Sequence, residues 1–254
     1  MHTEPQRRVA LSLLAHPDDA EFLCGGTLIR LAAAGWEVHI ATVANGDCGT
    51  MILPAAEIAA VRRNEGMAAA AKIGATYHCL DEHDVQVVFD KPANRKAIDL
   101  FRKVAPSLVL THPRMDYMSD HEQTHLLARS AAFAFGAPNA SQLPRVEGSA
   151  VPWMYYCDPV EGRDPYSGEL VRPTATVDVS AQMELKLEML ACHASQREWL
   201  RAHHGMDEYL DSARRFSAER GAPVGAAYAE AFVQHRGHPF PQRDLLADLF
   251  GELS

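Results

Sequence analysis

The chain has 254 residues, with 24 basic against 33 acidic side chains and a formal charge of −9 at neutral pH. Its 47% hydrophobic and 22% charged residues are those of an ordinary soluble globular protein, long enough for one substantial α/β domain. The acidic balance argues against a general nucleic-acid binder, which needs a clustered basic face, and no run approaches the roughly 18 continuous apolar residues of a membrane span.

Met1 to Arg8 is polar and carries no signal-peptide pattern, which favours the cytoplasm. Val9–Ala15 is dense in apolar residues, as a central parallel strand buried on both faces would be. Gly25-Gly26 leads into a predicted helix over Thr27–Ala34, stopped by Gly35, and Trp36–Ala44 reads as the second strand of a βαβ opening. Asn45-Gly46-Asp47-Cys48-Gly49 is a turn-rich loop at that strand's end. Glu57 to Ile73 reads as an alanine-rich helix and Thr76–Leu80 as a third strand, followed by polar Asp81-Glu82-His83-Asp84. A helix over Asn94 to Val104, a break at Pro106 and a fourth strand over Ser107–Thr111 come next. Glu122 to Phe135 looks helical.

Gly136 to Gly148, rich in Ala, Pro, Asn and Ser, is the best linker candidate. Beyond it lie an aromatic strand, Trp153–Cys157, a polar turn from Asp158 to Gly168, and a short strand, Thr176–Val179. Ser180 is placed to cap a helix running toward Cys192. A further helix is expected over Asp207 to Arg220, and Tyr228–Val233 reads equally as helix or strand. The expectation is a Rossmann-like, three-layer α/β/α fold with a mostly parallel sheet. It treats 1–254 as one domain, with 150–254 as its extension or cap. Trp153, Tyr155 and Tyr156 suit a core or a subunit interface, with core packing the default.

His16-Pro17-Asp18-Asp19 is the most informative stretch. It sets an imidazole and two carboxylates on one turn at the carboxyl end of a strand, where open α/β folds place active sites. His16 and Asp19 are candidate metal ligands, with Asp18 left beside them as a charged base. His121, on the fourth strand's rim, is the candidate third ligand, and Asp120 is placed to orient it or a partner. The bland alternative is an Asp-Asp pair that merely starts a helix. The five cysteines (24, 48, 79, 157 and 192) form no CxxC pair and fit buried small hydrophobes in a reducing compartment; for Cys24, packing is weighed against reactivity or ligation.

Ala15-His16-Pro17-Asp18-Asp19-Ala20-Glu21, with Gly25-Gly26-Thr27-Leu28 behind it, resembles the signature of the PIG-L/LmbE-like zinc N-deacetylases. Asn45-Gly46-Asp47, Arg62-x-x-Glu65, Asp84, Asp116-Tyr117…Asp120-His121 and His193-Ala194-Ser195-Gln196 recur in the same order, so the resemblance covers nearly the whole chain. It implies Zn2+ held by His16, Asp19 and His121, Asp18 as general base, and removal of acetyl from an N-acetylglucosamine-type sugar. It also implies substrate contacts from Arg62, Asp84 and Asp47. Competing readings pair Arg62 with Glu65 or Glu57 and give Asp47 an Asx-turn. Relatives are frequently oligomeric, so a homo-oligomer is among the expected states.

One position departs from the family. Met118-Ser119-Asp120-His121 stands where His-Pro-Asp-His is common, and a thioether cannot donate to an oxyanion or protonate a leaving amine. His112, His125 and His238 are the candidates to replace that histidine. The rivals to deacetylation are hydrolysis of another amide or ester and a metal-binding protein without catalysis. A nicotinamide enzyme is weaker, because acidic side chains replace the Gly-x-Gly-x-x-Gly turn.

Overall fold

The computed structural model describes residues 7–197 and 208–253. Its centre is β1 (Val9–Leu14), all six residues of which are buried. Side chains alternate along a strand. Ala10 and Leu14 therefore join one apolar cluster, and Val9, Leu11 and Leu13 join another on the opposite face. A strand apolar on both faces is stable only between two helical layers, and both layers are present.

The first face is covered by α1 (Asp19–Ala33), α2 (Ala55–Ala71) and α5 (Met183–Leu190), which contribute Leu28, Leu31, Ala69, Ala70 and Met189. The second is covered by α3 (Lys91–Val104) and α4 (Ser119–Ala134), through Phe101, Leu127, Ala128 and Ala131. Beside β1 run β2 (Glu37–Ala44) and β3 (Thr76–Glu82) on one side and β4 (Leu108–Thr111) and β5 (Trp153–Cys157) on the other, all parallel. β6 (Ala175–Asp178) and β7 (Ala229–Gln234) complete a seven-stranded sheet of order β3-β2-β1-β4-β5-β7-β6, with β7 antiparallel to both neighbours. The chain reverses its direction of winding between β1 and β4. That is the switch point where open α/β sheets leave a crevice at their carboxyl ends.

Several elements differ from expectation. The first helix starts at Asp19, inside the His-Pro-Asp-Asp turn, and absorbs both glycines. It breaks at Cys24 (φ −141). The Glu230 carboxylate of β7 takes up the amides of Gly26 (2.8 Å) and Thr27 (2.7 Å). Glycine is required at 26 because a Cβ there would sit 2.6 Å from Val179. α4 begins at Ser119, three residues early, so His121 lies in its first turn. Ser180 does not cap α5; its hydroxyl donates to Asp178 and accepts from the Tyr228 amide, in a short turn before the helix.

The ambiguous segment is strand β7. Its register places Ala231 and Phe232 opposite β6, a pairing that local sequence does not encode. α6 (Glu208–Gly221) matches the predicted helix, whose first residue, Asp207, lies outside the described residues. α7 (Leu245–Phe250) was not anticipated; Asp244 caps it and its leucines pack under the sheet. The expected linker leads directly to β5, which continues the sheet beside β4, and Arg102 threads the segment by donating to Phe135 O and four further carbonyls. Among the described residues no helix is long and apolar enough to cross a membrane.

Candidate metal centre

Leaving β1, the backbone turns through Asp18 with φ 120, a strained conformation for a residue with a side chain. Its neighbours hold it there. The His16 amide donates to Asp19 Oδ2 (2.7 Å), the Phe22 amide to Asp18 O (3.0 Å), and Arg62 Nη2 to Pro17 O (2.7 Å). The turn thereby brings His16 and Asp19 into one group of ligand atoms and the Asp18 carboxylate to Tyr209 and Arg62.

His121 arrives from α4 across the crevice, its ring 5.4 Å from that of His16. One ligand atom from each of His16, Asp19 and His121 lies within 4.8 Å of the others. Each imidazole has one nitrogen toward Asp19 and the other toward a buried carboxylate. His16 Nδ1 is 3.5 Å from Asp19 while Nε2 meets Asp120 at 3.0 Å. His121 Nε2 is 3.7 Å from Asp19 while Nδ1 faces Asp116 at 3.3 Å. Carboxylates behind metal-ligating histidines fix ring orientation and raise ligand basicity. Asp120 therefore orients His16 rather than its neighbour His121.

The electrostatics call for a cation. Burial disfavours charge on His16, but hydrogen bonds from Asp120 and Asp19 outweigh it and raise its pKa to about 10. Burial is likewise overcome at His121 by Asp19 and Asp116. Three acidic groups thus gather positive charge on two imidazoles in a site nearly closed to water. Two imidazoles and a carboxylate form a donor set that fits a divalent transition metal with a coordination position to spare.

His112 ends β4 behind this cluster. Its ring stacks on His121 at 3.9 Å and 13°, Nε2 accepts from the Ala15 amide (3.0 Å), and the side chain is fully buried. The same nitrogen meets Asp19 Oδ2 at 3.2 Å, and with Asp116 and His121, His112 forms a second group of ligand atoms close enough to hold an ion. His125, one turn beyond His121, hydrogen-bonds through Nδ1 to His112 O (3.1 Å) and packs on Tyr156, so it does not enter the cluster. His238 is exposed on the segment after β7, and no ligand cluster among the described residues includes it. Met118 is the N-cap of α4, its carbonyl accepting from the His121 amide.

Asp18 faces different partners. Burial raises its pKa, against the opposing charge of Arg62. The Tyr209 hydroxyl of α6 donates to it at 2.6 Å, and Arg62 lies 3.5 Å away. Arg62 itself is buried. It spans Asp18 and Asp84 (3.6 Å) with Nε left unpartnered, and Glu65 turns instead to the amide and hydroxyl of Ser195. Asp84 accepts the Gly46 and Cys48 amides, and Asp47 accepts the Asp84 amide and meets His83. Gly46 (φ +83) must be glycine, since a Cβ would sit 2.5 Å from the Arg62 side chain. Arg62, Asp47 and Asp84 therefore form a brace that fixes the Asp18 turn.

Sequence reasoning did not reach Tyr209, which no motif marks, nor the buried Glu21–His193 pair (3.4 Å) beside Asp18 and Arg62. His193 was visible only as part of a recurring stretch, and its burial against α1 could not be read there. Cys24 is packed, fully buried with burial and Cys157 pushing its thiol pKa up.

Residues 11–132 match the family described as PIG-L: GlcNAc-PI de-N-acetylase. Over 243 residues the chain is 27% identical to 4-oxalmesaconate hydratase of Pseudomonas putida, covering 92% of this chain and 88% of that protein. It is 28% identical over 198 residues to diacetylchitobiose deacetylase of Thermococcus kodakarensis, covering 73% and 69% respectively. The crystal structure of N,N'-diacetylchitobiose deacetylase from Pyrococcus horikoshii superposes with a TM-score of 0.76 at 25% identity, over 94% of this chain and 89% of that one. The same metal-binding fold thus serves deacetylases and hydratases.

Proposed function

From a chain with the PIG-L/LmbE-like fold and its His/Asp metal-binding triad, we infer a zinc-dependent hydrolase that removes the N-acetyl group from an N-acetylglucosamine-type sugar or glycoside. The observation that carries this reading is the pairing of two environments on one turn. His16 and Asp19 face His121 to hold a cation, and Asp18, between them in the chain, is partly buried with a raised pKa.

His16, Asp19 and His121 would hold a zinc ion, which would supply Lewis acidity to an amide carbonyl and to an attacking water. Asp18 takes the proton of that water and returns it to the departing nitrogen, a task helped by the upward push of burial on its pKa. Tyr209 and Arg62 both meet Asp18 Oδ2 and hold the carboxylate in place, and Asp120 and Asp116 keep the ligand imidazoles aimed at Asp19. Replacing Asp18 by Asn is expected to lower acetate release from N-acetylated sugars by about 10²-fold or more while bound zinc stays near one per chain. Full turnover in that variant would remove Asp18 from the chemistry.

Met118 favours a second reading. Without a histidine there, protonation of a leaving amine falls to Asp18 alone, whereas addition of water to a carbon–carbon double bond has no leaving group. One relative, aligned over 92% of this chain, is a hydratase. Met118→His separates the two: it should raise acetate release if the missing donor limits deacetylation. A wild-type enzyme that hydrates unsaturated carboxylates and leaves N-acetyl sugars untouched would establish the second reading instead.

A further inference from the structure

A pocket of about 380 Å³ opens at the carboxyl ends of β4 and β5, a volume within the range of small-molecule sites. Its floor is aromatic. The rings of His125 and Tyr156 lie 4.6 Å apart, and the Tyr156 hydroxyl meets His235 Nδ1 at 2.7 Å. Val171 and Val233 add apolar wall.

Two short links join this pocket to the metal cluster. His125 bonds the carbonyl of His112, whose ring stacks on His121. The lining segment 113–115 runs directly from His112 to Asp116, which faces His121. The pocket and the metal cluster are thus neighbours across His112 and the segment that follows it.

The charges in the pocket are unequal. Arg114 acts on Asp164, whose carboxyl is held low first by the Ser167 and Tyr166 amides and then by that guanidinium. Among the described residues no carboxylate lies within ion-pair distance of either arginine, and the charge of Arg129 falls on His125, Tyr156 and His235, so two guanidinium groups line the pocket against the single carboxylate of Asp164. One surplus guanidinium above an aromatic floor matches a single planar carboxylate, which the fork of an arginine can take with two parallel hydrogen bonds.

We propose that this pocket is the subsite for a carboxylate carried by the substrate, with Arg129 pairing the anion and Tyr156 and His235 supporting the carbon skeleton beside it. The proposal rests on the reading that the metal cluster is the reacting centre. It adds that the substrate is an acid, whether an acidic N-acetyl sugar or an unsaturated acid.

Calorimetric titration of the full chain with glutarate tests this, with neutral glutaramide and inorganic phosphate as comparison probes. Glutarate is expected to bind in both zinc-loaded and zinc-stripped protein, with affinities within about threefold, and more tightly than either comparison probe. Arg129→Gln should weaken it at least tenfold, with Arg129→Lys intermediate and thermal midpoints unchanged. Equal affinity in Arg129→Gln, binding that disappears with the zinc, phosphate bound more tightly than glutarate, or no glutarate binding at all would each overturn the proposal. Because binding is read without turnover, failure of the hydrolytic reading would leave a positive titration standing. Lost glutarate selectivity in an enzyme that still turns over would remove the pocket's role alone.

Discussion

Asp18 and Asp19 are neighbours in the chain and have opposite fates. Asp19 is drawn well below the usual carboxylate range, its burial overcome by His121, His112 and His16, whereas burial leaves Asp18 raised. One becomes a permanent anion suited to a cation, the other a carboxylate able to exchange a proton. The Tyr209 hydrogen bond favours the charged form of Asp18. Tyr209→Phe should therefore move the acidic limb of the pH–rate profile to higher pH. An unmoved limb, measured over about pH 4 to 8, would show that Tyr209 does not tune Asp18. Asp120→Ala should cost about 10- to 100-fold in zinc affinity, measured by chelator competition, because His16 loses the carboxylate that aims it.

At the scale of elements, the break in α1 at Cys24 creates a second helix start in the core. Glu230 satisfies it and pairs in turn with the buried Lys186 at 2.7 Å. Lys186 is 1% exposed and also meets Ser217 of α6, so one ionic cluster ties α1, β7, α5 and α6 together. Removing one member of a buried ion pair leaves an uncompensated charge. Glu230→Ala is thus expected to destabilise the fold by about 3–5 kcal/mol in denaturant unfolding. A loss below about 1 kcal/mol would mean that water reaches Lys186. The same cluster gives α6 a defined seat, and α6 carries Tyr209 to the site.

Across the whole molecule, stability and pH are linked with two opposite signs. His112 and His125 are held neutral by burial, each with a pKa of about 4, so the unfolded chain binds protons from about pH 6.5 downward while the folded chain does not. Stability should fall as pH drops through that window, by up to about 1.4 kcal/mol per unit for each histidine. His16 has the reverse sign in metal-free protein. Raised to about 10, it contributes stability that is complete below pH 6.5 and lost as pH rises toward 10. The thermal midpoint of stripped protein should therefore decline between pH 7 and 9.5, while zinc-loaded protein, whose site already holds a cation, should show a smaller decline and a higher midpoint. Parallel curves would argue against zinc in this cluster.

The sequence by itself determined the layers and the first shell. The near-continuous apolar run of Val9–Leu14 could be satisfied only by a sheet covered on both faces, and the His-Pro-Asp-Asp turn ending that strand placed His16, Asp18 and Asp19 within a few residues of one another. Those features are local, set by side-chain period and covalent spacing. The tertiary structure decided whatever depended on distance across the chain: that Asp120 backs His16 from 104 residues away, that Arg62 grips Asp18 and Asp84 instead of Glu65, and that Tyr209 reaches Asp18 across 191 residues. It also decided that Tyr228–Val233 pairs as a strand. Partnerships of this kind follow from which surfaces meet when the layers pack, and a pattern of residues along the chain does not contain that information.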